Sequence, residues 1–294
     1  MPELDPCTAV RDLWNLVRAL PANQCNHAIV YVPEPGDAKG GRWLDGTAQY
    51  SSMESTPWAD RGVPALVWTR DGKMSFKHVP QVAPEENLIR MTVEATLSAD
   101  GSAEARATWD ARGQYAGVVR QQFRRVGRRK QQLEAMVTSL QPGGQLTDMA
   151  FTDLTDRDGP AEIRFDFRAS RYAEPAGAQL ILQPKRRFSL SKRYTPRSER
   201  HYDVWMAMPS VVEYVEVYRF EPSWEIKSVP ETARFDTPWM VYEVRYTTEP
   251  GRIRVDKRLV TKATEVPKSA YERLQAFCVA ADKAEQETIT LVPK

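Results

Sequence analysis

From Leu88 onward the chain alternates. Ile89, Met91, Val93, Ala95 and Leu97 are apolar and Arg90, Thr92, Glu94 and Thr96 between them are polar, the period of two that sets one face of an extended strand against a core and the other in water. Asp100-Gly101 then reverses the chain into Ala103, Ala105, Ala107 and Trp109, which alternate with Glu104, Arg106 and Thr108. The two runs predict an antiparallel hairpin. An isolated hairpin is marginal in water, and the sequence supplies further strands to cover it at 163–167, 180–182, 211–220, 224–229, 239–246, 253–260 and 288–292. Strands at such short intervals predict a β-sandwich. Two helices interrupt them. Tyr115, Val119, Phe123, Val126, Leu133, Val137 and Leu140 follow helical spacing as one element that Pro142-Gly143-Gly144 ends. Ser269 caps a second, in which Tyr271, Leu274, Cys278 and Ala281 share a face. The fold class is mainly β with a few helices (α+β).

Before Leu88 the pattern is different. Val10, Leu13, Trp14 and Val17 predict a short amphipathic helix over 9–19 that Pro21 closes, and 26–32 with 41–44 predict a hairpin around a loop rich in Pro and Gly. Residues 46–87 lose periodicity and read as a wrapping segment that ends in a linker. The organisation is therefore 1–85 followed by 86–294, the second part carrying the sandwich and its two helices.

Composition removes several function classes. With 41 basic against 39 acidic side chains in 294 residues, the net charge of +2 is too small for binding to nucleic acid through net field. Arg120, Arg124 and Arg128 do form an i,i+4 row in the first helix, flanked by Arg125, Arg129 and Lys130, but no aromatic stacking platform accompanies them. A solvated face, or one docked on acidic residues, is the preferred reading. No apolar run approaches the roughly 20 residues of a membrane helix, and Met1 to Asp5 carries neither a basic leader nor an apolar stretch, so no secretory signal is read. Cys7, Cys25 and Cys278 make no zinc-like spacing; neither a cofactor nor a metal is expected. His78 and His201 read as surface or packing residues.

Chemistry concentrates in Asn26-His27-Ala28-Ile29-Val30-Tyr31-Val32 and Trp43-Leu44-Asp45-Gly46-Thr47. A turn about Gly36 sets His27 opposite Asp45 and Ile29 opposite Trp43, at cross-strand distance. A carboxylate there fixes the imidazole tautomer and stabilises the imidazolium, as the general base of a nucleophile requires. The same pair also serves as a self-satisfied polar contact at a sheet edge, and spacing does not choose between the two.

These stretches resemble the His and Asp strands of the bacterial transglutaminase-like superfamily, whose papain-like core uses a Cys-His-Asp triad; Asn26, His27, Trp43, Leu44, Asp45 and Thr47 carry the match. Gly62-Val63-Pro64-Ala65-Leu66-Val67 resembles the segment after that core, and 266–291 is similar to the end of the family's C-terminal β-domain. The resemblance implies a partial transglutaminase-like core followed by a β-sandwich, with His27 as base, Asp45 as orienting carboxylate and an upstream Cys that opens a helix as nucleophile. Cys7 alone has that position, ahead of the helix at 9–19, but without the Gly and Asp that surround the family nucleophile. Cys25 lies two residues from His27 on one strand, where the family carries an aromatic. The favoured reading is a noncatalytic C-terminal portion acting as scaffold or interaction module with a protein or peptide partner. The alternative is a cysteine-dependent acyl transferase or protease built on Cys7, His27 and Asp45. The resemblance implies an extracytoplasmic location for a full-length protein, while the location of this chain stays open.

Overall fold

The computed structural model describes residues 27–33, 41–53, 55–68, 72–185 and 187–294. Cys7, Cys25 and the helix predicted over 9–19 lie outside them. In the N-terminal part β1 (Val30–Val32) pairs with β2 (Arg42–Leu44), and β3 (Pro64–Trp68) with β4 (Met74–His78), both antiparallel. Trp43, Val67 and Val79 pack with Ile29, Tyr31 and Ala65 into a small cluster separate from the main core. The second hairpin falls in the stretch predicted to lack periodic structure. Its outward side chains are themselves apolar, Leu66, Trp68 and Met74 all being exposed, so the alternation that reveals a half-buried strand is missing.

The rest of the chain holds β5 (Leu88–Leu97), β6 (Ala103–Ala111), β7 (Gln145–Phe151), β8 (Ala161–Ala169), β9 (Glu174–Ala176), β10 (Gln179–Leu182), β11 (Val204–Trp205), β12 (Ser210–Arg219), β13 (Trp224–Ser228), β14 (Ala233–Asp236), β15 (Met240–Glu249), β16 (Arg252–Thr261), β17 (Glu265–Val266) and β18 (Ile289–Pro293). Its helices are α1 (Gln114–Gln122), α2 (Arg129–Leu140), α3 (Leu190–Tyr194) and α4 (Tyr271–Ala284). Eight strands make one sheet in the order β14-β15-β16-β12-β5-β6-β8-β7, antiparallel except at its centre, where β12 and β5 run parallel. A second sheet has the order β13-β18-β10-β9. Leu180, Leu182, Ile289 and Leu291 of the small sheet share one core with Val93, Phe165 and Ile253 of the large one and with Leu274 and Cys278 of α4. The fold is mainly β with a few helices.

The alternation read from the sequence becomes burial. Met91, Val93, Ala95 and Leu97 face inward, and Leu97 pairs with Ala103 across the predicted hairpin. Gly101 turns it with φ 83°, where a Cβ would strike the Ala173 carbonyl, and its own carbonyl accepts the N–H groups of Tyr172 and Ala173.

The helix predicted as one element from Tyr115 to Leu140 is two. Phe123 ends α1 because its side chain turns fully into the core against Trp109 and Phe151. The carbonyls freed at the break accept from the side chains of α2: Arg129 Nε reaches Phe123 O and Gln132 Nε2 reaches Gln122 O, both at 2.8 Å. An apolar stripe with helical spacing does not register such a break, since the residues on either side keep their period.

Between β10 and α3 the described residues 183–185 and 187–189 lie in no strand, and buried carboxylates accept the amides of Lys185 and Arg187. Glu216 takes the N–H of Lys185 and the guanidinium of Arg187, the latter at 2.7 Å. Glu285 takes the N–H of Arg187, the hydroxyl of Tyr242 and the ammonium of Lys257. Asp282 takes the N–H groups of Leu190 and Ser191 at the start of α3. Glu216, Lys257 and Glu285 are each at most 2% exposed. Replacing Lys257 with Met is therefore expected to destabilise the protein by about 3–5 kcal/mol, because it leaves a buried carboxylate without its cation. Urea unfolding of the variant measures it, and a midpoint equal to wild type would show that Tyr242 and the amides suffice.

The chain from residue 86 contains the whole main core. Produced alone, 86–294 is expected to melt in a single cooperative transition with protected amides in β5, β12 and β16. Exchange at unfolded-chain rates in those strands would refute its independence.

Candidate functional site

Trp43 and Tyr31 are cross-strand partners, with ring centroids 4.8 Å apart. Beside them Gly41 has φ 72° and lies so close under the Tyr31 ring that no side chain fits there. These contacts fix the β1/β2 register with Val30 opposite Leu44. This corrects the expected register, which set Ile29 opposite Trp43: the strands are displaced by two residues. An even displacement keeps every side chain on its own face, so the predicted neighbours still meet. His27 Nε2 lies 3.3 Å from Asp45 Oδ1.

Asp45 is held from its other side. Thr47 donates its N–H to Oδ1 at 2.8 Å, and the Thr47 hydroxyl lies 2.8 Å from Oδ1 and 3.0 Å from Oδ2. The Asp45 side chain is only 4% exposed. Burial pushes its carboxyl up, but the Thr47 N–H, the Thr47 hydroxyl and His27 together outweigh it and hold the group below the usual carboxylate range. His27, more open at its rim, is left with Nδ1 as the nitrogen not turned toward Asp45.

A second carboxylate completes the site. Asp60, on a single 3-10 turn at Trp58–Asp60, places Oδ2 4.0 Å from His27 Nε2. Burial raises its carboxyl, His27 pulls it down, and the neighbouring Asp45 charge adds to the rise, so the net shift is upward. The turn is tied to both parts of the chain. Thr56 Oγ1 donates to Trp43 O at 2.7 Å, while Gln114, at the start of α1, receives the Trp58 N–H and donates to Thr56 O at 2.9 Å. Trp58 also packs on Trp205 of β11.

Sequence reasoning missed Asp60 and Gln114. Both reach the site through turns and a helix start remote in sequence, and no spacing signals them. His27, Asp45 and Asp60 each offer a ligand atom within 4.8 Å of the others, so these three residues could hold a divalent cation. Such an ion would compete for the His27 nitrogen that already faces Asp45. His78 is exposed on β4 and His201 is exposed in a turn. Cys278, the cysteine among the described residues, is buried in α4, where desolvation above all pushes its thiol up to about 12.

Residues 178–291 match a family described as a Domain of Unknown Function with solved-structure structure (DUF3858). The match runs from β10 to β18, includes α3 and α4, and leaves His27, Asp45 and Asp60 outside it. No curated protein matches the chain. Among solved structures, a "putative protease" from Parabacteroides distasonis is similar at 8% identity and TM-score 0.32, over 40% of this chain and 24% of that one. An M1 zinc metallopeptidase from Deinococcus radiodurans is similar at 7% identity and TM-score 0.24, over 71% of this chain and 42% of that one. The chain thus spans less than half the length of either.

The lowered Asp45 carboxyl makes a linkage prediction. A group whose folded pKa lies below its unfolded value of about 3.9 contributes stability above that value and loses it as pH falls through the folded pKa. Thr47→Val removes the hydroxyl donor and keeps the N–H, so it is expected to raise the Asp45 titration midpoint and to shrink the stability that Asp45 contributes at neutral pH and loses in acid. Carboxyl-carbon NMR titration reads the first directly; an unmoved midpoint would mean that the hydroxyl does not hold the charge.

Proposed function

We propose that the chain is a noncatalytic C-terminal part of a transglutaminase-like protein, in which His27 and Asp45 are the base and orienting carboxylate of a thiol site and the β-rich part from residue 86 is the scaffold. The observation that supports it is the contact of His27 Nε2 with an Asp45 carboxylate fixed by Thr47. With Nε2 so engaged, Nδ1 is the atom that would take a proton from a thiol, and Asp45 would stabilise the imidazolium that results. Acyl transfer also needs a thiolate within hydrogen-bond reach and donors for the oxyanion. Among the described residues the cysteine present is Cys278, fully buried in the main core and held protonated by its surroundings. The acyl substrates suited to such a site are amides of proteins or peptides, which is the partner class this reading assigns.

In isolation the chain is expected to hydrolyse or transamidate no peptide amide, and iodoacetamide is expected to label Cys7 at the rate of an ordinary surface cysteine. The opposite result has a defined form: fast labelling near neutral pH that slows in His27→Ala, with amide turnover abolished by Cys7→Ser. That outcome would replace the scaffold reading with a Cys7-His27-Asp45 acyl transferase or protease.

A further inference from the structure

The break between α1 and α2 redistributes the arginine row that the sequence lays along one helix. Arg120 turns inward, 3% exposed, and donates to Gly159 O at 2.6 Å and Tyr50 O at 3.4 Å. Arg124 reaches the Tyr50 hydroxyl at 3.2 Å. Past Phe123 the backbone extends at Arg125 (φ −90°, ψ 99°) and makes one 3-10 turn over Val126–Arg128 before α2 begins. This elbow gathers Arg124, Arg125 and Arg128 around a cleft of about 260 Å³ whose other walls are Gln121, Gln122 and Gln132.

The cleft is lined by no carboxylate. Among the described residues no Asp or Glu comes within 4.0 Å of the three guanidiniums, whereas Arg90, Arg106, Arg164, Arg168 and Arg234 on the outer surfaces of the sheet all have acidic partners. Guanidinium stays charged at any pH the fold survives, so three such groups around one small space repel one another unless an anion enters. The lining also decides the class of anion. Each guanidinium presents a planar fork of N–H donors, and three forks with glutamine amides beside them suit a compact group that offers several oxygens and more than one negative charge. A lone carboxylate has two oxygens and a single charge, and an acidic peptide would need room and apolar wall for its side chains. No aromatic side chain lines the cleft to stack a base, so a nucleic-acid strand would find only half of what it needs.

We propose that the α1–α2 elbow is a binding site for a phosphoryl group, carried either by a soluble phosphate compound or by a phospholipid headgroup. The site is independent of the His27–Asp45 reading. The test uses the full chain at low ionic strength. Inorganic phosphate is titrated by calorimetry and by NMR of the amides over 121–132, with chloride at matched ionic strength as the blank. In parallel the protein is sedimented with phosphatidylcholine vesicles that contain phosphatidic acid and with vesicles that do not. The variant is Arg125→Gln with Arg128→Gln, both exposed and free of described ion pairs, and an unchanged melting temperature confirms its fold. Binding of phosphate, or retention by the phosphatidic acid vesicles, is expected to weaken at least about tenfold in the variant; the arm that responds identifies the source of the phosphoryl group. The proposal is overturned if neither arm exceeds its control, or if binding is the same in the variant.

Discussion

Two buried carboxylates, Glu216 from the sheet and Glu285 from the end of α4, do what a strand partner would otherwise do for the segment between β10 and α3. They accept the N–H groups of Lys185 and Arg187, backbone donors that would be costly to bury unpaired. Two anions in a core need cations, and Arg187 and Lys257 supply them, Lys257 also donating to Lys185 O at 2.9 Å. The network joins three parts of the assembly: the small sheet through the segment that leaves β10, the large sheet through Glu216 and Lys257, and α4 through Glu285 and Asp282. Apolar packing alone would leave those layers free to slide, since hydrophobic burial has no direction. Charge-assisted hydrogen bonds do have one. Tyr218 and Tyr242 close the remaining lone pairs, and burial, with the carboxylate each of them faces, raises both phenols well above their ordinary range, so they remain donors.

The candidate site stands outside that network but is connected to the same framework by a short chain of hydrogen bonds. Asn87 Nδ2 donates to Pro209 O, just before β12, and Asn87 Oδ1 accepts the Gln114 N–H; the Gln114 side chain then holds Thr56 and Trp58. Thr56 reaches Trp43, two residues from Asp45. The small N-terminal cluster of Trp43, Val67 and Val79 is too slight to fix a base and its carboxylate by packing. Its geometry near Asp60 is tied to the β-rich part by polar contacts with α1 and by Trp58 packing on Trp205.

What was legible in the sequence follows from how each feature is encoded. The β5/β6 hairpin is written twice, once in the alternation and once in Asp100-Gly101, and both survive. His27 and Asp45 were legible as neighbours because face is conserved under an even slip, although the register itself was not, being set by Tyr31 packing over Gly41. The break at Phe123 leaves the helical stripe intact and so leaves no trace in periodicity. Lys257 does carry a signal in the sequence: it stands on the inward face between Val255 and Leu259, where a lone cation implies a buried anion opposite. Glu285 and Asp60 carry none, since each is brought in by an element whose placement only the tertiary fold decides.

Two carboxylates face one imidazole nitrogen, and their environments differ. Asp45 receives the Thr47 N–H and hydroxyl, so its charge is stabilised before His27 contributes anything. Asp60 has no comparable donor among the described residues and lies partly buried beside the Asp45 charge, which favours its protonated form. Groups whose surroundings drive their pKa values apart are the ones able to take distinct acid and base roles. The two carboxyls beside His27 are thus shifted in opposite directions, Asp45 downward by its hydrogen bonds and Asp60 upward by burial. The Asp45 half of that difference comes from Thr47, two residues along the chain, and is encoded locally; the Asp60 half comes from burial, which the tertiary fold decides.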